Sequence, residues 1–325
     1  MTHPARIAVA LGDPNGIGPE IALKAVAAYA GRTDIALTLF GSVQVIESTA
    51  HALGMDSMLT GLQVIATPDL PTHAYRPGHI NAHAGRSAVQ AATEAINATL
   101  RGEYDAVVAA PHHETAIHQA GIRFSGYPSL VAQVSGVRED SVFLMLIGGG
   151  LRIVHVTLHE SLQTALARLT PALVEHAVHA GVRALHLLGV ATPHIGLFGI
   201  NPHAGEGGLF GHEDEAITQV AAQRLRSQGL HVDGPAGGDA LLAQRSHDLY
   251  VAIVHDQGHI PIKLISPHRS SALSIGADVI LSSVGHGCAM DIAGRGLAKA
   301  DAMIDTIAML AAVPVPVTLH TLQNS

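Results

Sequence analysis

The chain has 325 residues, of which 48% are hydrophobic and 14% are charged, and its formal net charge is −8. This length and apolar content suffice for a sizeable core and two lobes, and they exclude a small peptide module and a disordered chain. The negative charge, the lack of tryptophan and the 3% aromatic content exclude a nucleic-acid partner, which requires basic surfaces and stacking aromatic side chains.

The apolar segments predict neither export nor membrane insertion. The run before Gly12 is too short for a signal-peptide core. The stretch 306–317 contains two prolines and falls short of the ~20 residues of a membrane span. A single cysteine, Cys288, excludes an internal disulfide framework and suits a reducing cytoplasm, where we expect the protein.

Short apolar runs alternate with longer alanine-rich amphipathic stretches along the chain. In chain order they include RIAVAL with PEIALKAVAAYA, SAVQAATEAINATLRG with YDAVVAA, and RIVHVTL with SLQTALARL. This alternation is typical of βαβ units. It predicts an α/β protein with mostly parallel sheets and helices on both sheet faces.

The first strand leads into the turn GDPNGIGPE, residues 12–20. Pro19 and Glu20 suit the first turn of a helix, because proline fixes a helical φ and an acid faces the positive end of the helix dipole. The glycines do not match the dinucleotide motif G-x-G-x-x-G. By itself the segment predicts a tight strand-to-helix turn near a site.

Three later apolar runs each lead into a histidine. His159 follows RIVHVTL, His203 follows IGLFGINP and His255 follows VAIV. Open α/β sheets bind ligands at the carboxyl ends of their strands, so these imidazoles are predicted to converge. Three imidazoles suit Zn²⁺ with an open fourth position, although each histidine could instead cap its strand or bond a loop carbonyl.

The neighbours of these histidines leave some roles open. Asp256, Glu160 and Asn201 lie next to the three histidines and are candidates to orient them. His155 and His259 each lie four residues from a predicted ligand. Strand periodicity does not distinguish His155 from its neighbour as the ligand, because both point to the same face.

Five ordered segments resemble the 4-hydroxythreonine-4-phosphate dehydrogenase (PdxA) family: GDPNGIGPE, VTLHES, NPHAGEGGLFG, VHDQGHIPIK and GHGCAMDIAGRG. The resemblance implies two α/β/α lobes with an isopropylmalate-dehydrogenase-like fold and the active site in the cleft. Residues of about 1–125 with 270–325 would form the cofactor lobe, and about 126–269 the metal and dimerisation lobe. It also implies a dehydrogenase that uses NAD or NADP and a divalent metal, with Zn²⁺ as the first choice.

The resemblance also implies roles for individual residues. The metal ligands would be His159, His203 and His255, in a site shared between the two subunits of a homodimer. Lys263 would contact the substrate. We expect Lys263 and Asp256 to transfer protons, since a cation beside a lysine disfavours its ammonium form and moves its pKa towards neutrality.

The segment 286–296 further resembles the cofactor loop of isopropylmalate dehydrogenases, which surrounds the adenosine half of NAD. This likeness implies cofactor-binding roles for His286, Gly287, Ala289 and Asp291. Small residues allow the backbone to approach a ligand closely, and a carboxylate accepts hydrogen bonds from ribose or adenine.

Departures from the family pattern fall on positions that bind its phosphorylated substrate. The family's Pro-x-x-Lys is PHHE at residues 111–114, and its Gly-His-Thr-Glu is GYPS at residues 126–129. Ala272 and Leu281 replace a polar Asn and an Arg. A phosphorylated substrate is therefore disfavoured.

The amino-acid sequences of several segments resemble those of one branch of the family. The substrate of that branch is a non-phosphorylated diol dicarboxylate of aromatic degradation. His112, His113 and Arg123 are candidates to bind the distal carboxylate. Two alternatives stay open: a dehydrogenase of a phosphorylated hydroxy acid, such as 4-hydroxythreonine 4-phosphate or threonate 4-phosphate, and a non-redox zinc hydrolase.

Overall fold

The computed structural model describes residues 3–267 and 269–312, so residues 313–317 of the apolar stretch lie outside it. No helix in these ranges is long and apolar enough to cross a membrane. The described residues form two compact units: unit 1 contains those up to residue 126 and from residue 281 onwards, and unit 2 contains those between residues 127 and 280.

Unit 1 has a sheet of five parallel strands in the order β3-β2-β1-β4-β11. The strands are β1 (Ala5–Ala10), β2 (Ile35–Ser42), β3 (Gln63–Thr67), β4 (Ala106–Ala109) and β11 (Leu281–Val284). The helices are α1 (Gly18–Ala28), α2 (Val43–Ala52), α3 (Ala82–Leu100), α4 (Glu114–Gln119) and α11 (Asp301–Ala311).

Local sequence explains the elements of unit 1. From Ile7 to Ala10, strand β1 is a continuous apolar run whose residues are all buried, as expected for a strand with both faces covered. Helix α3 begins where the Asn81 side chain accepts a hydrogen bond from the Ala84 amide at 3.0 Å. Its buried face is mostly alanine, which lets the helix backbone approach the sheet closely.

Unit 2 has a six-stranded sheet in the order β10-β5-β6-β9-β7-β8. Strand β5 is antiparallel to β10 and β6, whereas β6, β9, β7 and β8 are parallel to one another. The strands are β5 (Phe143–Gly148), β6 (Leu151–His155), β7 (His194–Phe198), β8 (His231–Ala236), β9 (Leu249–Ala252) and β10 (Ser271–Ile275). The helices are α5 (Tyr127–Ser135), α6 (Leu162–Arg168), α7 (Pro171–Leu187), α8 (Gln219–Ser227), α9 (Gly238–Gln244) and α10 (His255–Ile265).

The α/β prediction with mostly parallel strands is confirmed. Two features of unit 2 were not predicted. Strands β5 and β6 form a hairpin whose turn, Gly149 and Gly150, has positive φ at both residues. Helix α10 begins directly at His255, although Gly258 and Pro261 within it disfavour a helix.

Candidate active site

Three neighbouring parallel strands of unit 2 end beside the predicted metal ligands. Strand β9 lies between β6 and β7. His159 follows β6, His255 follows β9 and His203 follows β7. Each histidine thus follows the carboxyl end of a strand, as predicted, and the three strands are parallel neighbours; their role as metal ligands stays a prediction.

The structure brings two of the three imidazoles close together. The ring centroids of His159 and His255 are 5.4 Å apart, and both side chains line an open depression of about 730 Å³. His203 is exposed on the loop after β7, with its ring 6.2 Å from that of Phe210. Within residues 3–267 and 269–312, the three predicted ligands do not form a group whose ligand atoms all lie within 4.8 Å of one another.

Asp256 fixes the orientation of His255. Its Oδ1 lies 2.7 Å from Nδ1 of His255, and its side chain is 77% exposed. Since a carboxylate accepts, Nδ1 donates and Nε2 keeps the lone pair that a metal requires. The other two predicted orienting residues bind elsewhere: Glu160 accepts from Arg168 at 2.8 Å, and Asn201 donates to a glutamate at 2.8 Å.

A buried carboxylate that the sequence analysis missed holds the loop of His203. Asp214 is fully buried and accepts hydrogen bonds from the amides of Ile200 and Asn201, both at 2.8 Å, and from the Thr218 hydroxyl at 2.6 Å. His203 has a φ of 54°, in the left-handed region that costs a non-glycine residue about 1 kcal/mol. Asp214 therefore stabilises the entry to a strained turn that presents His203.

Gln257 joins the ends of strands β9 and β7. Its Oε1 accepts from the amides of Ile253 and Val254 at 2.8 and 3.2 Å, and its Nε2 donates to the Gly199 carbonyl at 2.9 Å. One side chain thus satisfies two amides at the start of α10 and ties them to the strand that precedes His203. No sequence pattern singled out Gln257.

Two further histidines form a chain of contacts behind His255. The fully buried His155 has Nδ1 3.2 Å from the Leu144 carbonyl and Nε2 3.1 Å from Nδ1 of His259. The same Nδ1 of His259 lies 3.2 Å from the His255 carbonyl. Because carbonyls only accept, both Nδ1 atoms carry protons, and Nε2 of His155 accepts from His259. This leaves Nε2 of His259 as an unprotonated base.

The packing of these rings sets the plane of His255. His259 stacks on His255 with ring centroids 3.6 Å apart and an interplanar angle of 13°. Gly258 makes this arrangement possible, because a Cβ there would lie 2.2 Å from Nε2 of His155. Both nitrogens of His155 are engaged inside unit 2, which favours His159 over His155 as the metal ligand.

Burial keeps His155 neutral, and this predicts acid sensitivity of the metal-free protein. Burial lowers the pKa of His155 from 6.5 to about 3. The unfolded chain therefore binds this proton at a higher pH than the folded chain does. The His155 contribution to the free energy of unfolding is present above pH 6.5 and falls by up to about 1.4 kcal/mol per pH unit as the pH drops towards 3.

Urea denaturation in chelator between pH 7 and 4 checks this prediction. We expect His155→Gln to lessen the dependence of stability on pH, whereas His176→Gln, at an exposed position of α7, should retain the wild-type dependence. Equal slopes for wild type and His155→Gln would contradict the role given to His155.

Lys263 lies on the same helix as His255. It is half-buried, and burial lowers the pKa of its ammonium group. His259 lies one helical turn before Lys263, and its pKa is lowered to about 4, mainly by burial. A lysine whose neutral form is favoured in this way can accept a proton.

In unit 1 the predicted segments also meet at the carboxyl ends of strands. GDPNGIGPE follows β1, PHHE follows β4 and residues 286–296 follow β11, and these three strands are parallel neighbours. The Asp13 amide donates to the Pro111 carbonyl at 2.8 Å, and the Ile17 amide donates to the Cys288 carbonyl at 2.9 Å. Burial raises the pKa of the Cys288 thiol, which disfavours the thiolate form that a nucleophile requires.

The predicted cofactor residues lie on the first half of the loop 286–296. Ala289 has a φ of 41°, and Gly287 and Asp291 are exposed. His286 is partly exposed, with Nδ1 3.2 Å from the Gly287 carbonyl. Gly294 and Gly296, in the second half of the loop, line a cavity of about 90 Å³. The turn GDPNGIGPE lines the same cavity.

The residues that replace the family's substrate positions have different environments. The His112 ring packs on Phe124 with centroids 4.6 Å apart, and Arg123 is exposed. His113 precedes α4 as its N-cap residue. Leu281 is fully buried in β11, and Ala272 is partly buried against the core of unit 2, so both replacements serve packing.

Comparison with characterised proteins agrees with these motifs. The family model "Pyridoxal phosphate biosynthetic protein PdxA" matches residues 20–310. A 1,2-dihydroxy-3,5-cyclohexadiene-1,4-dicarboxylate dehydrogenase from Comamonas sp is 58% identical, over 95% of this chain and 98% of the relative. A D-threonate 4-phosphate dehydrogenase from Cupriavidus necator is 34% identical, over 93% of this chain and 95% of the relative.

Solved structures are similar over the same span. A terephthalate 1,2-cis-dihydrodiol dehydrogenase from Burkholderia xenovorans LB400 has 45% identity and a TM-score of 0.71, covering 96% of this chain and 99% of that one. A 4-hydroxythreonine-4-phosphate dehydrogenase from Klebsiella pneumoniae has 33% identity and a TM-score of 0.81, covering 95% and 98%. A beta-decarboxylating dehydrogenase from Thermococcus kodakarensis, 18% identical with a TM-score of 0.52 and coverages of 94% and 82%, shares the fold. The chain therefore belongs to the PdxA family of dehydrogenases.

Proposed function

We propose that the protein oxidises and decarboxylates 1,2-dihydroxy-3,5-cyclohexadiene-1,4-dicarboxylate, the terephthalate cis-dihydrodiol, to protocatechuate and CO₂. NAD is the proposed hydride acceptor. The observation that carries this proposal is the 58% identity to the Comamonas dehydrogenase over nearly the full length of both chains. The loss of the family's phosphate-binding pattern at residues 111–114 and 126–129 supports a non-phosphorylated substrate.

The proposed metal ligands are His159, His203 and His255, and three imidazoles suit Zn²⁺. The adjacent rings of His159 and His255 and the orienting bond from Asp256 fit such an ion. When bound, the ion would acidify the reacting hydroxyl and stabilise developing negative charge on oxygen.

A homodimer that shares the metal site is part of the proposal. Unit 2 exposes large apolar side chains on α6, on the loop after β7 and on α10: Leu162, Leu209, Phe210, Ile260 and Leu264. Exposed apolar side chains of this kind are typical of subunit interfaces. A second copy would also explain why the three predicted ligands do not meet as a group within one chain.

Lys263 is the proposed proton carrier. In its neutral form it accepts the proton of the C2 hydroxyl while the hydride on that carbon passes to nicotinamide. The resulting β-keto acid breaks its bond to the carboxylate and releases CO₂. Lys263 then returns the proton to the enolate oxygen, which yields the aromatic catechol with no net proton released. Asp256 is the second proposed proton-transfer residue, and its hydrogen bond to His255 places it beside the proposed metal site.

Lys263→Ala should lower turnover by about 100- to 10,000-fold, the usual range for loss of a general base. Wild-type activity should rise with pH as the ammonium deprotonates, and this rise should be absent in the variant. A pH profile of kcat measures both effects, with Lys299→Ala at an exposed lysine as the control. Retained activity with an unchanged pH profile would exclude a chemical role for Lys263.

The remaining proposed roles concern binding. His286, Gly287, Ala289 and Asp291 are proposed to bind the adenosine half of NAD, because segment 286–296 resembles the cofactor loop of isopropylmalate dehydrogenases. His112, His113 and Arg123 are proposed to bind the distal carboxylate.

Product analysis tests the function. The purified protein is incubated with the dihydrodiol dicarboxylate, NAD and Zn²⁺, and we expect NADH, CO₂ and protocatechuate in a 1:1:1 ratio. Parallel reactions contain D-threonate 4-phosphate or 4-hydroxythreonine 4-phosphate, because relatives with about one-third identity bear those names. Turnover of a phosphorylated substrate alone would replace the proposal with that alternative, and a failure to bind NAD would favour a hydrolase.

A further inference from the structure

Three potential metal-binding side chains meet at the amino ends of the strands of unit 2. His194 is the first residue of β7, Asp233 lies within β8, and His247 shortly precedes β9. Their ligand atoms all lie within 4.8 Å of one another, and in the described part of the chain no other group of three His, Cys, Asp or Glu does so. None of the three has a role predicted from the sequence.

The geometry resembles a coordination sphere. Oδ2 of Asp233 lies 3.0 Å from Nε2 of His194 and 3.0 Å from Nε2 of His247. Two ligand atoms on one tetrahedral Zn²⁺ are about 3.3 Å apart, so only small shifts would admit an ion. The two rings have centroids 4.4 Å apart and are tilted by 38°, and both Nε2 atoms approach the same oxygen.

The backbone holds this arrangement in advance. The His194 amide donates to Oδ2 of Asp248 at 2.9 Å, and the Asp248 amide donates to the His194 carbonyl at 2.8 Å. The segment that carries His247 is thereby fixed against the start of β7. Gly196 leaves room for the buried His247 ring, since a Cβ there would lie 3.2 Å from its Cγ.

The charges and partners of the group suit a divalent cation. The hydrogen bond that His247 donates is the main reason why the pKa of the Asp233 carboxyl group is lowered. This carboxylate is therefore anionic near neutral pH. Nδ1 of His247 lies 3.3 Å from the Ser246 hydroxyl, an orienting partner of the kind that metal-bound histidines have. The Asp233 side chain is 56% exposed, so an ion could enter from solvent and keep a water ligand.

We propose that His194, Asp233 and His247 form a second metal site, which binds Zn²⁺ or a similar borderline ion such as Co²⁺ or Ni²⁺. Two imidazoles and one carboxylate are the donors such ions take. His194 begins the five-residue strand β7, and the proposed catalytic metal site lies beyond its other end. At ~3.3 Å per residue the two ends of this strand are about 13 Å apart. The site is therefore structural: it clamps β8 and the segment before β9 to the start of β7.

Metal stoichiometry of full-length variants tests the site with Zn²⁺ alone and with Co²⁺ alone. The His255→Ala variant removes the proposed catalytic ion, and we expect it to retain one ion per chain. Adding Asp233→Asn, which nearly preserves the side-chain shape at an exposed position, should remove that ion. Asp233→Asn alone should lose one ion and keep dehydrogenase activity.

Thermal unfolding gives a second readout that does not depend on activity. Zn²⁺ should raise the midpoint of His255→Ala by a few degrees, and the rise should vanish when Asp233→Asn is added. Asp56→Asn, at another exposed aspartate, serves as the matched control and should keep both the ion and the rise. The proposal is overturned if His255→Ala binds no ion, or if the ion persists after Asp233→Asn is added. If the wild type binds only one ion per chain and Asp233→Asn loses it, the result would support this site and contradict the proposed catalytic metal.

Discussion

His255→Ala should lower turnover of the dihydrodiol dicarboxylate by at least about 1,000-fold and should remove one metal ion per chain. A catalytic ion supplies several kcal/mol of charge stabilisation, and each ~1.4 kcal/mol is a factor of ten in rate. His255 is the best placed of the three predicted ligands: Asp256 holds its Nδ1, His259 stacks on its ring, and His159 lies beside it. Steady-state kinetics together with metal analysis measure both effects.

The variant should remain folded, because the His255 side chain is partly exposed and the helix it begins is held by Gln257. His176→Ala, at an exposed histidine of α7, is the matched control and should keep full turnover and metal content. Turnover at the wild-type rate by His255→Ala after exhaustive chelation would refute the catalytic role of the ion.

Asp214→Ala should lower the free energy of unfolding by about 3–5 kcal/mol. The substitution leaves the partly buried amides of Ile200 and Asn201 without their acceptor, and each such loss costs about 1–3 kcal/mol. The buried Thr218 hydroxyl loses its bond to the carboxylate and keeps only the Asp214 carbonyl, at 3.2 Å. The left-handed turn at His203 loses its anchor at the same time. Metal affinity should therefore fall even though Asp214 contributes no proposed ligand.

Urea denaturation compares Asp214→Ala with Glu215→Ala. Glu215 is the next residue in sequence, but its side chain is exposed and pairs with the exposed His212, so its loss should change stability by less than about 0.5 kcal/mol. Similar stabilities of the two variants would show that Asp214 does not hold the loop as described.

The sequence predicted those features that are encoded locally. RIAVAL and YDAVVAA are strands, PEIALKAVAAYA is a helix, and their alternation indicated the parallel α/β arrangement. Each apolar run before His159, His203 and His255 predicted a strand, and each histidine does follow a strand of the sheet.

Features that depend on tertiary contacts were beyond sequence reasoning. Helix α10 contains Gly258 and Pro261, which disfavour a helix, but the glycine is needed where the helix crosses the His155 ring. Asp214 and Gln257 act by hydrogen bonds to backbone groups of distant segments, which no local pattern reveals. The group of His194, Asp233 and His247 is assembled from three separate strand beginnings and has no spacing signature.

An anomalous difference map at the zinc edge, from crystals of the Zn²⁺-loaded protein, would show whether the three predicted histidines hold an ion. We expect a peak coordinated by His159, His203 and His255, with the three rings contributed by two subunits. A map without density among these histidines, in a crystal that holds zinc elsewhere, would contradict it.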